Sequence, residues 1–333
     1  MNHMIHLPLK ERGRLFRAAS FQLGVNQTVI EKDFWVCSIL QFLFYESQFR
    51  NCFVFKGGTS LSKCYDVIHR FSEDLDLILK WDVLGISDDE VYRERSKTQD
   101  AKFEISLNQK GSVFVREKLK PELERLFCPK APGAEVLMDE HDPMVLYLAY
   151  PVASPSAYVR PRVKLEIGPM AATTPYENRE ISPYCGPFIP MGTPRFAIPT
   201  ITIARTFWEK VLILYAETNR PASKMMPLRY SRHYYDVYMI YRSRYFAEIL
   251  QNRKLFVEVR AFKSRFYRTA WACLEDCELS EIALIPNQNR LPSLKADYRQ
   301  MEEMLFGSHP SFEEILEGLK ELESVLRSAS KEN

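Results

Sequence analysis

Apolar residues recur at near-helical spacing from Leu9 to about Phe49. Val29, Ile30 and Phe34 lead into Trp35, Val36, Ile39, Leu40, Phe42 and Leu43, a run broad enough to be buried on more than one side. Glu31-Lys32-Asp33 sits at the edge of this run and admits two readings. It is either a solvated helix face, or a place from which Lys32 or Asp33 reaches a site beside the helix. The pattern then shortens. Cys52 to Phe55 reads as a strand ended by Gly57-Gly58, with Thr59 or Ser60 placed to cap a helix running to about Ile68. A second strand carries Asp74 and Asp76 on one face and Leu75, Leu77 and Leu79 on the other, because strand side chains alternate.

Beyond Lys80 the chain is more polar and reads as a loop entering a helix. Ser112 to Leu126 predicts another helix, interrupted or restarted at Pro121. Val145 to Tyr150 predicts a strand, and Pro151, Pro155 and Pro161 bracket a loop. In Val163 to Ile167, Val, Leu and Ile alternate with Lys164 and Glu166 until Gly168-Pro169 ends the strand. Prolines 175, 183, 187, 190, 194 and 199 make Ala171 to Thr200 a domain boundary or a long irregular crossover. Ile203 to Ala216 and Ser231 to Ile240 predict helices, with Asn219 to Tyr230 a loop between them. The remainder is helical in pattern. It ends in a helix with a Ser311-Phe312-Glu313-Glu314 capping box and a packing stripe of Ile315, Leu316, Leu319, Leu322, Val325 and Leu326.

Candidate chemistry concentrates where these elements carry charge. Two aspartates side by side on one strand face repel each other and call for a cation. Free backbone N–H groups at a Gly-Gly turn suit an anion, and Lys56 and Lys63 lie close in sequence. Together these features point to magnesium carrying nucleotide phosphates. Glu166 completes a three-carboxylate cluster if its strand neighbours that of Asp74; otherwise it lies on the solvated face of an edge strand. Lys210, inside an apolar helix, either snorkels to water or lies over phosphates. Arg232 and Asp236, four apart, either pair with each other or orient Lys210 or touch substrate. His233 has no partner histidine at metal spacing, which argues against zinc.

Composition narrows the picture. The chain has 333 residues, 46% of them hydrophobic, enough for one large or two ordinary domains. A formal net charge of +2 leaves any nucleic-acid footprint to a local patch. The most basic neighbourhood gathers Arg242, Arg244, Lys254, Arg260, Lys263, Arg265 and Arg268 among aromatics. Seven cysteines without a CxxC pair fit a reducing compartment and buried thiols. No stretch has signal-peptide or transmembrane character, so the expectation is a soluble cytoplasmic protein without membrane contact. Walker A, GxGxxG, G-x-S-x-G and Cys/His metal patterns are all absent from the sequence.

The order of motifs resembles the AbiEii/AbiGii-type nucleotidyltransferase toxins, a branch of the DNA polymerase beta-like superfamily. It rests on Glu31-Lys32-Asp33 with its aromatic run, FKGGTSLSK with RFSEDLDL, KLEIG, TFWEK and RYSRHYYDVY, spread from about residue 28 to residue 240. Past Ile240 only helical character matches. The resemblance implies an α+β fold: a nucleotidyltransferase core with a small mixed β-sheet flanked by helices, plus a mainly helical C-terminal domain. The corresponding divisions are an N-terminal helical segment at 1–50 packing on the core, the core at 51–198 and the helical domain at 199–333.

It further implies metal-dependent transfer of a nucleoside monophosphate from an NTP. Asp74, Asp76 and Glu166 would bind Mg2+, and Gly57, Gly58, Thr59, Ser60, Lys63 and Arg232 would hold the nucleotide. Lys210 would steady the phosphates, with Asp236 in the same late motif. Two departures stand out: Glu166 replaces the Asp common in the superfamily, and GGTS replaces its glycine-serine pair. The implied acceptor is RNA such as the tRNA 3′ end, the implied partner a cognate antitoxin of a toxin–antitoxin or abortive-infection system, and the implied state a monomer. Modification of a protein or small molecule, or a non-catalytic nucleotide-binding regulator on the same fold, are the alternatives.

Overall fold

The computed structural model describes residues 2–72, 74–153, 160–189 and 192–330; Glu73, Pro155 and Pro190 of the motifs above lie outside them. The chain separates into two units. Unit 1 comprises residues 1–65 and 71–201, and unit 2 comprises 66–70 and 202–333. The helix-to-strand connection of unit 1 thus contributes five residues to unit 2.

In unit 1 the chain runs through α1 (Asn2–Ile5), α2 (Leu9–Leu23), α3 (Gln27–Gln41), β1 (Phe53–Lys56), α4 (Gly57–Lys63) and β2 (Asp74–Leu79). It continues through α5 (Asp88–Tyr92), α6 (Lys97–Phe114), α7 (Lys120–Phe127), β3 (Glu135–Met138), β4 (Val145–Ala149), β5 (Arg162–Gly168), β6 (Tyr176–Ile181) and β7 (Phe196–Ile201). The described residues form one seven-stranded mixed sheet in the order β3-β4-β5-β2-β1-β7-β6. Strand β2 runs antiparallel to β1 and parallel to β5, so the strand of Glu166 is interior and not an edge. Phe53, Phe55, Leu75, Leu77, Val163, Leu165 and Ile167 are buried, which is the apolar half of each alternation.

Several sequence expectations change here. Glu31, Lys32 and Asp33 are all buried, so the solvated-face reading of α3 fails. Each charge has a partner: Glu31 Oε1 accepts from the Ala153 N–H at 2.7 Å, Lys32 Nζ donates to the Arg160 carbonyl at 3.4 Å, and Asp33 pairs with Lys63 at 2.7 Å. The restart at Pro121 is as the sequence reads: α7 begins at Lys120 with Pro121 in its first turn, and a π turn over Val115–Leu119 joins it to α6. The proline-rich 171–200 stretch holds β6 and β7, a fully registered antiparallel pair in which Asn178 faces Pro199. Strand β7 meets β1 only at Phe55↔Thr200, so Pro199 interrupts little of a ladder. Helix α4 begins at Gly57 and ends at Lys63, well short of Ile68.

Unit 2 contains α8 (Ile203–Thr218), α9 (Ser231–Tyr241), α10 (Phe246–Gln251), α11 (Arg253–Phe266), α12 (Leu291–Met301) and α13 (Phe312–Ala329). Phe207, Trp208, Val211 and Leu214 bury one side of α8, and Trp208 meets Phe256 of α11 edge-on at 5.2 Å. Helix α13 opens with the reciprocal Ser311/Glu314 capping box and buries Ile315, Leu319, Leu322 and Leu326. All seven cysteines are free thiols, with only Cys273 exposed. Among the described residues no helix is long and apolar enough to cross a membrane.

Candidate active site

The β1–β2 register places Lys56 opposite Asp76, so the chain leaves β1 into Gly57 beside that aspartate. Gly57 adopts φ +86°, and a Cβ built on it would lie 1.8 Å from Asp76 Oδ2. Glycine is required twice over, once by backbone angle and once by the carboxylate against it. The Gly-Gly turn and the second aspartate are therefore in direct apposition.

Neither Thr59 nor Ser60 caps α4, contrary to the sequence reading. The Thr59 hydroxyl donates to the Asp74 carbonyl at 2.6 Å, fixing the start of β2. Ser60 is fully buried, and its hydroxyl donates to the Gly57 carbonyl at 2.8 Å. Lys63 is turned inward as well: its ammonium pairs with Asp33 and lies 3.8 Å from the Tyr184 ring centroid. The Tyr184 N–H donates to Asp33 Oδ2 at 2.6 Å, so this pair holds α4 to α3. Burial opposes the Lys63 charge, but Asp33 outweighs it and keeps the ammonium's pKa above its usual value.

Asp74 and Asp76 are half-exposed on the polar face of β2. In the parallel pairing Asp74 lies opposite Lys164 and Asp76 opposite Glu166, bringing a third carboxylate to the same face. Lys164, to which the sequence pattern assigns no role, forms an ion pair with Glu166. Burial lowers the Lys164 pKa, while the hydrogen bond and charge of Glu166, with Asp74 beyond, hold it above its usual value. A lysine two residues before an acidic strand position is the signal that marks it, since i and i+2 share a strand face.

Among the described residues no group of three His, Cys, Asp or Glu side chains is close enough to hold a metal ion unaided. The donors present nonetheless suit a hard divalent cation. Asp74 and Asp76 offer carboxylate oxygens, and Asp76 Oδ2 lies against the turn, in the place a Cβ of residue 57 would occupy.

In unit 2, Asp236 of α9 is fully buried and does not pair with Arg232. Arg70 grips it bidentately, Nε to Oδ1 at 2.8 Å and Nη2 to Oδ2 at 2.9 Å. Lys210 Nζ reaches the same Oδ2 at 2.9 Å. Lys210 is itself buried, so it does not snorkel to water. Burial opposes the Asp236 charge, but these two cations outweigh it and leave the carboxyl well below the usual range. His233 lies in the same field. Burial, then Lys210 and Arg232, hold its imidazole well below its usual pKa, and its Nδ1 is buried without a hydrogen-bond partner.

The family model for the AbiEii nucleotidyl transferase toxins of type IV toxin–antitoxin systems matches residues 39–318. No curated protein matches the chain. Among solved structures it is similar to MenT4, a nucleotidyltransferase toxin from Mycobacterium tuberculosis H37Rv. Identity there is 14%, with 95% of this chain and 97% of that chain covered at a TM-score of 0.41. The chain belongs to the AbiEii nucleotidyl transferase toxin family. The match starts after Glu31-Lys32-Asp33 and extends far past Ile240, taking in most of the helical tail that by sequence matched only in character.

Proposed function

We propose that the protein transfers a nucleoside monophosphate from an NTP to RNA, with the tRNA 3′ end as acceptor and Mg2+ as the metal. The observation that carries the reading is the apposition of the Gly57 turn to the Asp76 carboxylate, which joins an approach for phosphate to a cation ligand. Asp74 and Asp76 would hold the cation, leaving further coordination to triphosphate oxygens and water, the usual arrangement for a small hard ion. A bound divalent ion supplies charge neutralisation at the phosphates and lowers the pKa of the attacking hydroxyl.

The chain's own residues divide the remaining work. Gly57 and Gly58 let backbone N–H groups approach the phosphates without side-chain interference. Thr59 and Ser60 support from behind, one fixing β2 and the other the turn. Lys63 locks α4 through Asp33. Glu166, steadied by Lys164, stands beside Asp76 as a further ligand or as acceptor of the hydroxyl proton. Lys210 offsets triphosphate charge, Asp236 orients it, and the half-exposed Arg232 assists at the nucleotide. The support for RNA is the basic segment from residue 220 to 268, with 12 Lys and Arg against 3 Asp and Glu. The toxin–antitoxin family implies a cognate antitoxin.

The test uses purified full-length protein with Mg2+, each labelled NTP in turn and total RNA. Label should enter a tRNA-sized band, and Asp74→Ala or Asp76→Ala should lower transfer by about a hundredfold or more, the scale of losing a principal electrostatic group. Equal labelling by wild type and both variants would defeat the assignment. Label on a protein or small molecule would defeat the RNA acceptor alone.

A further inference from the structure

The loop between α8 and α9 holds two large apolar side chains out in water: Met225 is 90% exposed and Leu228 88%. A loop left to itself folds such groups against the surface, because water disfavours them. This one is held at both shoulders. Arg290 Nη2 donates to the Pro221 carbonyl at 2.7 Å and to the Lys224 carbonyl at 2.8 Å, and Arg220 Nη1 donates to the Met225 carbonyl at 3.3 Å. Arg220 is itself fixed on Glu217 of α8. At the other shoulder Asp297 of α12 accepts from the Arg229 N–H at 2.6 Å and from the Ser231 N–H at 2.8 Å. Arg229 is kept at φ +59°, a left-handed angle that such a residue holds only where its surroundings impose it. Pro221 and Pro227 stiffen the backbone further. The loop is built to present Met225 and Leu228.

The setting of the two side chains points to what covers them. Residues 220–232 contain four Lys or Arg and no Asp or Glu, and Lys224, next to Met225, is exposed. Two side chains fall well short of the ~800 Å² per partner that a specific protein interface covers. They match the flat face of a base far better. Met and Leu are among the apolar side chains that wedge against bases in nucleic-acid recognition while cations hold the phosphates. An unpaired strand end offers such bases without the cost of opening a duplex. We propose that this loop seats the unpaired 3′ end of the acceptor RNA, with Met225 and Leu228 against base faces and Lys224 against the backbone phosphate. The inference rests on the RNA reading proposed above and narrows it to RNA with a single-stranded 3′ extension. The loop runs directly into α9, so a strand end seated there lies next in the chain to Arg232 and Asp236.

The test uses full-length protein with Mg2+, labelled NTP and two RNA hairpins that differ only in a short unpaired 3′ extension, with binding isotherms at several salt concentrations. Wild type should prefer the extended hairpin. Met225→Gln and Leu228→Gln should each raise Kd and KM for the extended hairpin roughly tenfold, the scale of losing a base contact, and change those for the blunt hairpin less than about twofold. The NTP KM and thermal melting should stay at wild-type values, since both side chains stand in water. The slope of log K against log salt should hold as well, because neither side chain neutralises a phosphate. Met225→Leu should behave as wild type. Equal losses on both hairpins, or a fall in the salt slope, overturn the inference. Variants that match wild type on both hairpins overturn it too and leave the two side chains to a protein surface. A wild type that neither binds nor labels the hairpins or total RNA overturns the RNA acceptor itself, whereas a wild type that labels RNA with both Gln variants indifferent overturns only the role of the loop.

Discussion

Gly57 is where the local chain and the site meet most tightly. Gly57→Ala would place a methyl group on Asp76 Oδ2 and hold an L-residue at φ +86°. The strain is about 1–3 kcal/mol, and Asp76 would be displaced. Thermal melting should show the destabilisation, and transfer activity should fall further than the stability loss explains. Lys63 makes a contrasting case. Lys63→Met should destabilise by about 3–5 kcal/mol because Asp33 is left buried without its counter-charge, whereas Lys63→Met with Asp33→Leu should recover most of it. Chemical denaturation of the two variants separates these outcomes; equal loss in both would show that the pair is not the source. Sequence spacing revealed Asp74 and Asp76 because a strand repeats every two residues, a local rule. It could not reveal that Arg70 answers Asp236, since nothing local relates residues 166 positions apart.

Among the elements, the strands of the site were legible and the helix–strand boundaries less so. Strands β6 and β7 were hidden by prolines, although Phe196 and Ile198 alternate as a buried face should. Pro199 is tolerated because its strand pairs with β1 at a single position. Helix α7 restarts at Lys120, so Pro121 falls in its first turn, where a missing N–H is tolerated. Glu122 then fastens α7. Its carboxylate accepts from the Gln48 N–H at 2.9 Å and from Arg125 at 2.8 and 2.9 Å, which with the charge of Arg125 brings its carboxyl down to about 2. A carboxyl lowered on folding stabilises above its unfolded value near ~4.3 and loses that contribution as pH falls through the folded value. Glu122→Gln should therefore be less stable than wild type at pH 7, by about 1 kcal/mol given the exposure of Arg125. The gap should close as pH falls from roughly 4.5 toward 2. Urea denaturation at stepped pH measures it, and a gap independent of pH would remove the ionic explanation.

Charge is uneven over the whole molecule, and the near-neutral total conceals it. The excess in residues 220–268 predicts salt-sensitive RNA binding. Lys224→Glu and Lys254→Glu, both at exposed positions, should weaken RNA binding and reduce the slope of log K against log salt by about 1 for each phosphate no longer neutralised. Binding isotherms at several salt concentrations test this, and an unchanged slope would place RNA elsewhere. The sequence by itself determined the apolar alternation of the strands, the same-face aspartates, the glycine turn and the capped final helix. All of these follow from backbone periodicity and steric rules acting over a few residues. Only the tertiary structure decided that Glu31, Lys32 and Asp33 are buried, that Glu166 stands across from Asp76 with Lys164 bound to it, and that residues 66–70 join the second unit. It also decided that Asp236 is shared by Arg70 and Lys210. Those outcomes depend on which strands become neighbours and which buried charges find one another. Long-range burial and electrostatics set them, and no local pattern encodes either.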